Sequence, residues 1–385
     1  MMQQTFKSVP IDAIPADRTL HRVSTPQAWY GPDLARRPEE WTHVFSPDES
    51  AELLAGIAAV EARGLDVTDI GPEAFPLPRL GSVLGGVRKD LLEGRGFSLL
   101  RGFPSDGLSP RQRAIGYFGI GAHLGRAVSQ NAAGHALGHV TDLGFDYSQP
   151  TARGYQTNVR LPYHTDGADL VGLLCVRMAK SGGLSSLVSS TTVYNEMLER
   201  RPDLVRVLMG ANYRDRRGEI PPGKGPWYTL PVFNPHEGLM IGSYVRSAIA
   251  KAQRFEEVPR LSAELTEAMD FLDALAESPD LHLDMELAVG DIQFVCNHYI
   301  LHSRTNYEDH ARPEARRHLL RLWLSCDDGP ALPRVFDNYT GLDARGRPMG
   351  LYLDGGRLTA PLVPEDGGPG TSEQRVAGSD AGRAS

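Results

Sequence analysis

The sequence predicts a mainly β fold with flanking helices, of the α+β class, in which a sandwich or barrel of strands is covered by helices. Three observations carry this. Strand-like runs recur at 156–166, 170–178, 184–189, 290–297 and 318–325, separated by turn residues. Apolar residues recur at helical spacing ahead of those runs and between them. No internal repeat is found.

The elements follow in order. The first 80 residues are rich in proline and charge, and the spacing of Ala, Leu and Ile predicts one helix over 50–63. A second helix is predicted over 83–93. Residues 96–103 read as a buried strand that stops at the turn marked by Pro104. Helical character returns over 110–124. The strand-like runs 156–166 and 170–178 precede a Gly182-Gly183 turn, the β-rich 184–189 and a helix over 191–199. A Pro/Gly loop interrupts the chain at 220–227. An amphipathic helix is predicted over 261–277, then strands at 290–297 and 318–325. Gly, Ser, Asp and Ala dominate the last residues, 366–385, which read as a disordered tail.

Composition narrows the function classes. With 41% hydrophobic and 23% charged residues the chain can build a sizeable core. A net charge of −8 offers no basic field for nucleic acid or an anionic membrane. No run approaches the ~18 apolar residues of a membrane span, and the N-terminus lacks the apolar segment of a signal peptide. Cys175, Cys296 and Cys326 are odd in number and far apart, which fits neither a zinc finger nor a disulfide framework. They read as packed thiols in a reducing cytoplasm. The expected partner is a small-molecule substrate, with no nucleic acid and no membrane; self-association into a homo-oligomer is left open.

The most informative segment is Leu161-Pro162-Tyr163-His164-Thr165-Asp166-Gly167. Residues two apart on a strand share a face, so His164 and Asp166 can reach one metal ion. Alone, a His-x-Asp pair more often marks a surface turn or a hydrogen-bonded pair. An open ferrous site needs a second histidine, completing a facial triad that leaves positions for a co-substrate and oxygen. His302 is the best candidate; His298, His310 and His318 are the alternatives. Along 316–324 one strand face carries Arg317, Leu319, Arg321 and Trp323, the other His318, Leu320, Leu322 and Leu324. A buried arginine needs an anion, and its planar fork suits a carboxylate. Arg317 is read as a carboxylate anchor. Arg321 is balanced between that role and an ion pair with a neighbouring strand.

Together these residues resemble the TauD/TfdA (taurine dioxygenase) family of Fe(II)/2-oxoglutarate-dependent oxygenases. The resemblance rests on Tyr163 to Asp166, Gly182 to Ser185, Leu301 to Arg304 and the Arg317/Arg321 pair, in that order, and spans roughly 90–326. It implies a double-stranded β-helix (jelly-roll, cupin-like) core. It implies that His164, Asp166 and His302 bind Fe(II), that Arg317 grips the far carboxylate of 2-oxoglutarate, and that Ser185 and Arg321 assist co-substrate binding. O2 would be the second co-substrate, and succinate and CO2 would be released as a small carboxylate- or amino-acid-like metabolite is hydroxylated or desaturated. The expected organisation is an N-terminal helical and irregular extension over 1–80, an oxygenase domain over 81–335, a C-terminal extension over 336–365 and the tail.

For the primary substrate, the candidate residues are Arg160, Asn158, Arg321 and Tyr228, with Asn131 and Arg246 beside them. Arg160 shares the parity of His164. Trp227 and Tyr228 form either a lid or a packed hairpin. Two rival functions remain at this level: a metal-dependent hydrolase on the same triad, disfavoured by the arginine strand, and a non-catalytic barrel binding a small acid, disfavoured by the triad.

Overall fold

The computed structural model describes residues 9–10, 19–351 and 357–364; the tail expected over 366–385 lies outside the described residues. Two sheets occupy the centre. The larger has seven strands, running across the sheet as Thr42–Val44, Phe97–Arg101, Ile292–Cys296, Leu170–Arg177, His318–Ser325 and Arg126–Ala127, with Leu137–Val140 also paired to His318–Ser325. The smaller has four, in the order Leu283–Met285, Ser185–Ser189, Ile300–Arg304 and Leu161–His164. Only the Thr42–Val44 pairing is parallel in these sheets among the described residues.

Helix starts are set locally. The Pro47–Arg63 helix begins earlier than the apolar spacing indicates, because Ser46 and Glu49 close a capping box around Pro47. Ser109 and Gln112 do the same for Pro110–Ala122. The strand expected over 156–166 is corrected: Gly154–Gln156 is a 3-10 turn, and only Leu161–His164 pairs. Its partner strand Ile300–Arg304 is a separate element that strand periodicity did not separate from the run ending at residue 297, because a turn at Asn297 to Tyr299 joins two fully buried strands.

Helices bury the outer faces. Leu53, Ile57 and Val60 of Pro47–Arg63 join Ile115 and Ile120 of Pro110–Ala122 and Leu320, Leu322 and Leu324 in one hydrophobic cluster. A Cβ at Gly121 would meet Leu322 Cδ1 at 2.6 Å, so glycine lets this helix lie close on the sheet. On the other side Val193, Met197, Leu208, Met269 and Leu272 cover Tyr163, Val188 and Leu301 of the smaller sheet. Cutting any of these buried leucines to alanine removes about 2–5 kcal/mol. No helix among the described residues is long and apolar enough to cross a membrane.

The two inner faces meet directly, since the Ser185 hydroxyl of the smaller sheet donates to Gln293 Oε1 of the larger at 3.0 Å. Between them lie Leu187, Leu173 and Leu319, but also buried His302, Arg304, Arg317 and Arg321. Buried charge on an inner face needs partners, and that requirement locates the site.

Candidate metal centre and active site

His164 ends its strand, and Asp166 follows in the turn beyond it. Two contacts with Tyr244 hold that turn: Thr165 N–H donates to the Tyr244 carbonyl at 2.9 Å, and Tyr244 N–H donates to Thr165 Oγ1 at 3.1 Å. The Asp166 N–H donates to Asn297 Oδ1 at 2.9 Å, and Asn297 Nδ2 donates to the Ala168 carbonyl at 3.0 Å. His302 lies directly opposite His164 across the strand pair, with ring centroids 4.2 Å apart. One ligand atom from each of His164, Asp166 and His302 falls within 4.8 Å of the others.

The protonation states suit a divalent cation. Burial, reinforced by the neighbouring His164, pushes His302 down to about 3. Burial also lowers His164. Burial would raise Asp166, but Arg321, His302 and His164 together outweigh it and bring the carboxyl to about 2. At neutral pH the cluster is two neutral imidazoles and one carboxylate. His164 Nδ1 lies 2.9 Å from the Pro162 carbonyl, a contact that places its proton there and bares Nε2. Asp166 Oδ2 accepts from Trp323 Nε1 at 2.9 Å and from Arg321 Nη1 at 3.3 Å. His302 Nδ1 is buried without a partner.

Asp166 and His164 open onto a cavity of about 640 Å³, its mouth included, whose wall also holds Tyr155, Arg153, Arg217, Arg321, Trp323 and Tyr339. Arg321 is held there by several partners. Its Nε donates to Gln130 Oε1 at 2.7 Å, and its guanidinium lies over the rings of Tyr155 and Trp323 at 4.6 and 5.1 Å. Arg317 stands four residues earlier in the chain, just before the strand His318–Ser325 begins. It lines a separate cavity of about 630 Å³ with Gly183, Leu184, Cys175 and Leu319. Its guanidinium lies 5.1 Å from the Tyr307 ring centroid, and its Nη1 is buried without a partner. Gly183 (φ +76°) is required beside it, because a Cβ would meet Arg317 Nε at 2.9 Å. Burial lowers the Arg317 pKa, a cost that an incoming carboxylate relieves.

Several sequence candidates lie elsewhere. Arg160 is exposed and pairs with Glu277 at 2.8 Å. Its expected parity is broken by a bulge: His302 faces His164, but Arg304 faces Leu161, which turns the chain before Leu161 outward. Asn158 is also exposed, its carbonyl accepting from Tyr307 N–H at 3.2 Å. Tyr228 stacks on Tyr339 at 4.9 Å and lines a neighbouring cavity that shares Arg153, Arg217, Val245 and Tyr339 with the first. It belongs to a strand pair with Tyr213–Asp215 in which Trp227 packs on Tyr213, so these aromatics are a packed hairpin. Ser185 faces the interior, where its hydroxyl donates to Gln293. Asn131 bonds within its own turn to His135, and Arg246 reaches the cavity wall held by Asp270 and Asp273. None of the alternative histidines joins the triad: His298 pairs with Asp169 at 2.7 Å, His318 with His139 at 2.7 Å, and His310 is exposed.

Sequence reasoning missed Asn297, Gln130, Arg153 and Arg217. Asn297 could have been noticed as a polar residue at the end of an apolar strand. The other three carry no local signal.

Two facing sheets thus hold a cluster of two histidines and one aspartate, of which His164 and Asp166 line a cavity. The sequence pattern of the taurine catabolism dioxygenase TauD/TfdA family matches residues 61–323. FR-33289 synthase of Streptomyces rubellomurinus is 33% identical over 320 residues, 80% of this chain and 92% of its own length. Uridine-5'-phosphate dioxygenase of an Amycolatopsis species is 32% identical over 201 residues, 49% of this chain and 71% of that protein. Asparagine oxygenase, solved with Fe(II), 3-hydroxyasparagine and succinate, shares the fold with a TM-score of 0.58 at 18% identity, over 74% of this chain and 93% of that one. The chain belongs to the TauD/TfdA family and is an Fe(II)/2-oxoglutarate-dependent oxygenase.

Proposed function

We propose that His164, Asp166 and His302 hold the Fe(II), and that Arg317 binds the far carboxylate of 2-oxoglutarate, inside a double-stranded β-helix formed by the two sheets. The observation that carries this reading is the cluster of three ligand atoms within 4.8 Å of one another, at one end of an inner surface whose other end is the unpartnered Arg317 Nη1. When bound, the iron supplies oxygen activation coupled to decarboxylation of 2-oxoglutarate to succinate.

The protein's own residues do the positioning. Trp323 and Arg321 aim the Asp166 carboxylate, the Pro162 carbonyl sets the His164 tautomer, and Asn297 fixes the turn. Buried Leu187 and Leu319 keep water from the intervening space, and the Ser185 hydroxyl can turn from Gln293 to the co-substrate. The primary substrate enters the 640 Å³ cavity. We read it as a small acidic metabolite that is hydroxylated or desaturated; a relative named for uridine-5'-phosphate supports an acidic group.

We read residues 81–335 as the catalytic domain, 1–80 as an extension packed on it, and 336–365 as a C-terminal extension that brings Tyr339 to the cavity. Three buried free thiols fit a reducing cytoplasm.

Anaerobic titration with Fe(II) and 2-oxoglutarate tests the assignment. A visible charge-transfer band should require both and should vanish in His302→Ala. A full band in that variant would move the third ligand elsewhere.

A further inference from the structure

Four arginines stand in the wall of the triad cavity: Arg153, Arg217, Arg246 and Arg321. Three have carboxylate partners. Arg153 pairs with Glu219, Arg246 with Asp270 and Asp273, and Arg321 with Asp166. Arg217 is different. Among the described residues no carboxylate pairs with its guanidinium, which donates only to the Ser247 hydroxyl at 2.9 Å, and its buried Nε has no partner.

Its backbone is also unusual. Arg217 has φ +55°, in the left-handed region that a side chain disfavours. The turn is over-determined by its neighbours. The Arg217 N–H donates to Asp215 Oδ1 at 2.7 Å, and Asp215 is itself held by Arg254 at 2.7 Å. Arg216 Nη1 donates to the Tyr339 carbonyl at 2.8 Å. A built, strained turn therefore presents an uncompensated cation to the cavity that holds His164 and Asp166. Its charge is felt by the groups behind it: after burial, Arg217 is the next cause lowering Arg153 and the next lowering Lys251, which falls to about 8. An anion at Arg217 would relieve both.

We infer that Arg217, with the Ser247 hydroxyl beside it and Arg153 behind, is the subsite for an oxyanion of the primary substrate, either a carboxylate or a phosphoryl group. This rests on the reading of His164, Asp166 and His302 as the iron site, because it is that cavity which the substrate shares. The subsite takes the role expected of Arg160, which is exposed, and of Arg321, whose charge is already paired with Asp166. An anion held at Arg217 tethers one end of the substrate while a carbon elsewhere in it lies near the metal.

The test uses the full chain loaded with Fe(II) and 2-oxoglutarate, with inorganic phosphate and acetate as probes in isothermal titration calorimetry. Wild type should bind at least one anion saturably, and Arg217→Gln should weaken that binding at least tenfold. Arg217→Lys should recover part of it, and Arg160→Gln should stay within twofold of wild type. Phosphate preferred over acetate identifies a phosphoryl substrate, and the reverse a carboxylate. No saturable binding by either anion in wild type, or equal binding in Arg217→Gln, overturns the inference. The charge-transfer band, followed in parallel, reports the iron reading separately: Arg217-dependent anion binding without any band would break that reading and leave the subsite standing.

Discussion

Arg321 lies within the strand His318–Ser325 and Arg317 immediately before it, both buried, yet their surroundings are opposite. Arg321 is enclosed by what it already touches: Gln130, Asp166 and the rings of Tyr155 and Trp323. Arg317 has an aromatic neighbour in Tyr307, a glycine cleared from its path at Gly183 and a nitrogen left over. A buried guanidinium already paired with a carboxylate is a positioning group; one with no carboxylate partner and a buried donor unfilled is a site for an anion. Identity and burial are the same at both positions, so it is the partner atoms that separate the two roles.

The largest effect should come from removing the partner that defines the Arg321 end. Asp166→Ala deletes a proposed ligand and strands the Arg321 charge. Iron retention after gel filtration should fall to background, and the iron-free protein should lose about 3 kcal/mol in a denaturant melt, the cost of an uncompensated buried charge. Iron retained at wild-type level would show that Asp166 serves Arg321 alone.

Next comes the exchange of forks. Arg317→Lys keeps a charge but loses the bidentate geometry, so the 2-oxoglutarate concentration giving half the charge-transfer band should rise roughly tenfold, about 1.4 kcal/mol, while iron affinity changes little. Arg321→Lys should do the reverse. If the two variants trade phenotypes, the roles assigned to the two ends are exchanged.

The ends also differ in what lies behind them. His318 sits next to Arg317 on the opposite strand face, 2.7 Å from His139. Burial, then His139, Arg177 and Arg113, hold His318 down to about 3. Its unfolded value is about 6.5, so between these values the unfolded chain binds more protons. Stability is therefore intact above about pH 6.5 and is lost as the pH falls toward 3, by roughly 1–3 kcal/mol from this group. Urea melts of wild type and His318→Gln at pH 7.5 and 5.5 check it; the variant should lose less on acidification. The same loss in both would place the acid sensitivity elsewhere.

The smallest effect belongs to a residue that strand parity put in the cavity and the structure does not. Arg160→Gln removes one exposed ion pair with Glu277 and should change stability by less than about 0.5 kcal/mol and succinate formation by less than twofold. A large loss of activity would return Arg160 to the substrate site.

The strand Leu170–Arg177, the strand His318–Ser325 and the main helices were legible because capping, turn chemistry and side-chain alternation act within a few residues. So was the strand face that carries Leu319, Arg321 and Trp323, whereas Asp166 falls in the turn after Leu161–His164 and Arg317 just before His318–Ser325. What lay beyond reach depended on residues far apart in the chain. The bulge that turns Arg160 outward exists only in the pairing with Ile300–Arg304. Arg321 is satisfied by a carboxylate 155 residues away and a glutamine 191 away. Arg217 became a candidate only when a loop with no periodicity was seen to share a cavity with His164. Local order sets which residue types stand on which face of an element. Whether a buried charge is compensated or left open to a ligand is set by groups that meet only when the chain is packed, and that the tertiary structure alone decides.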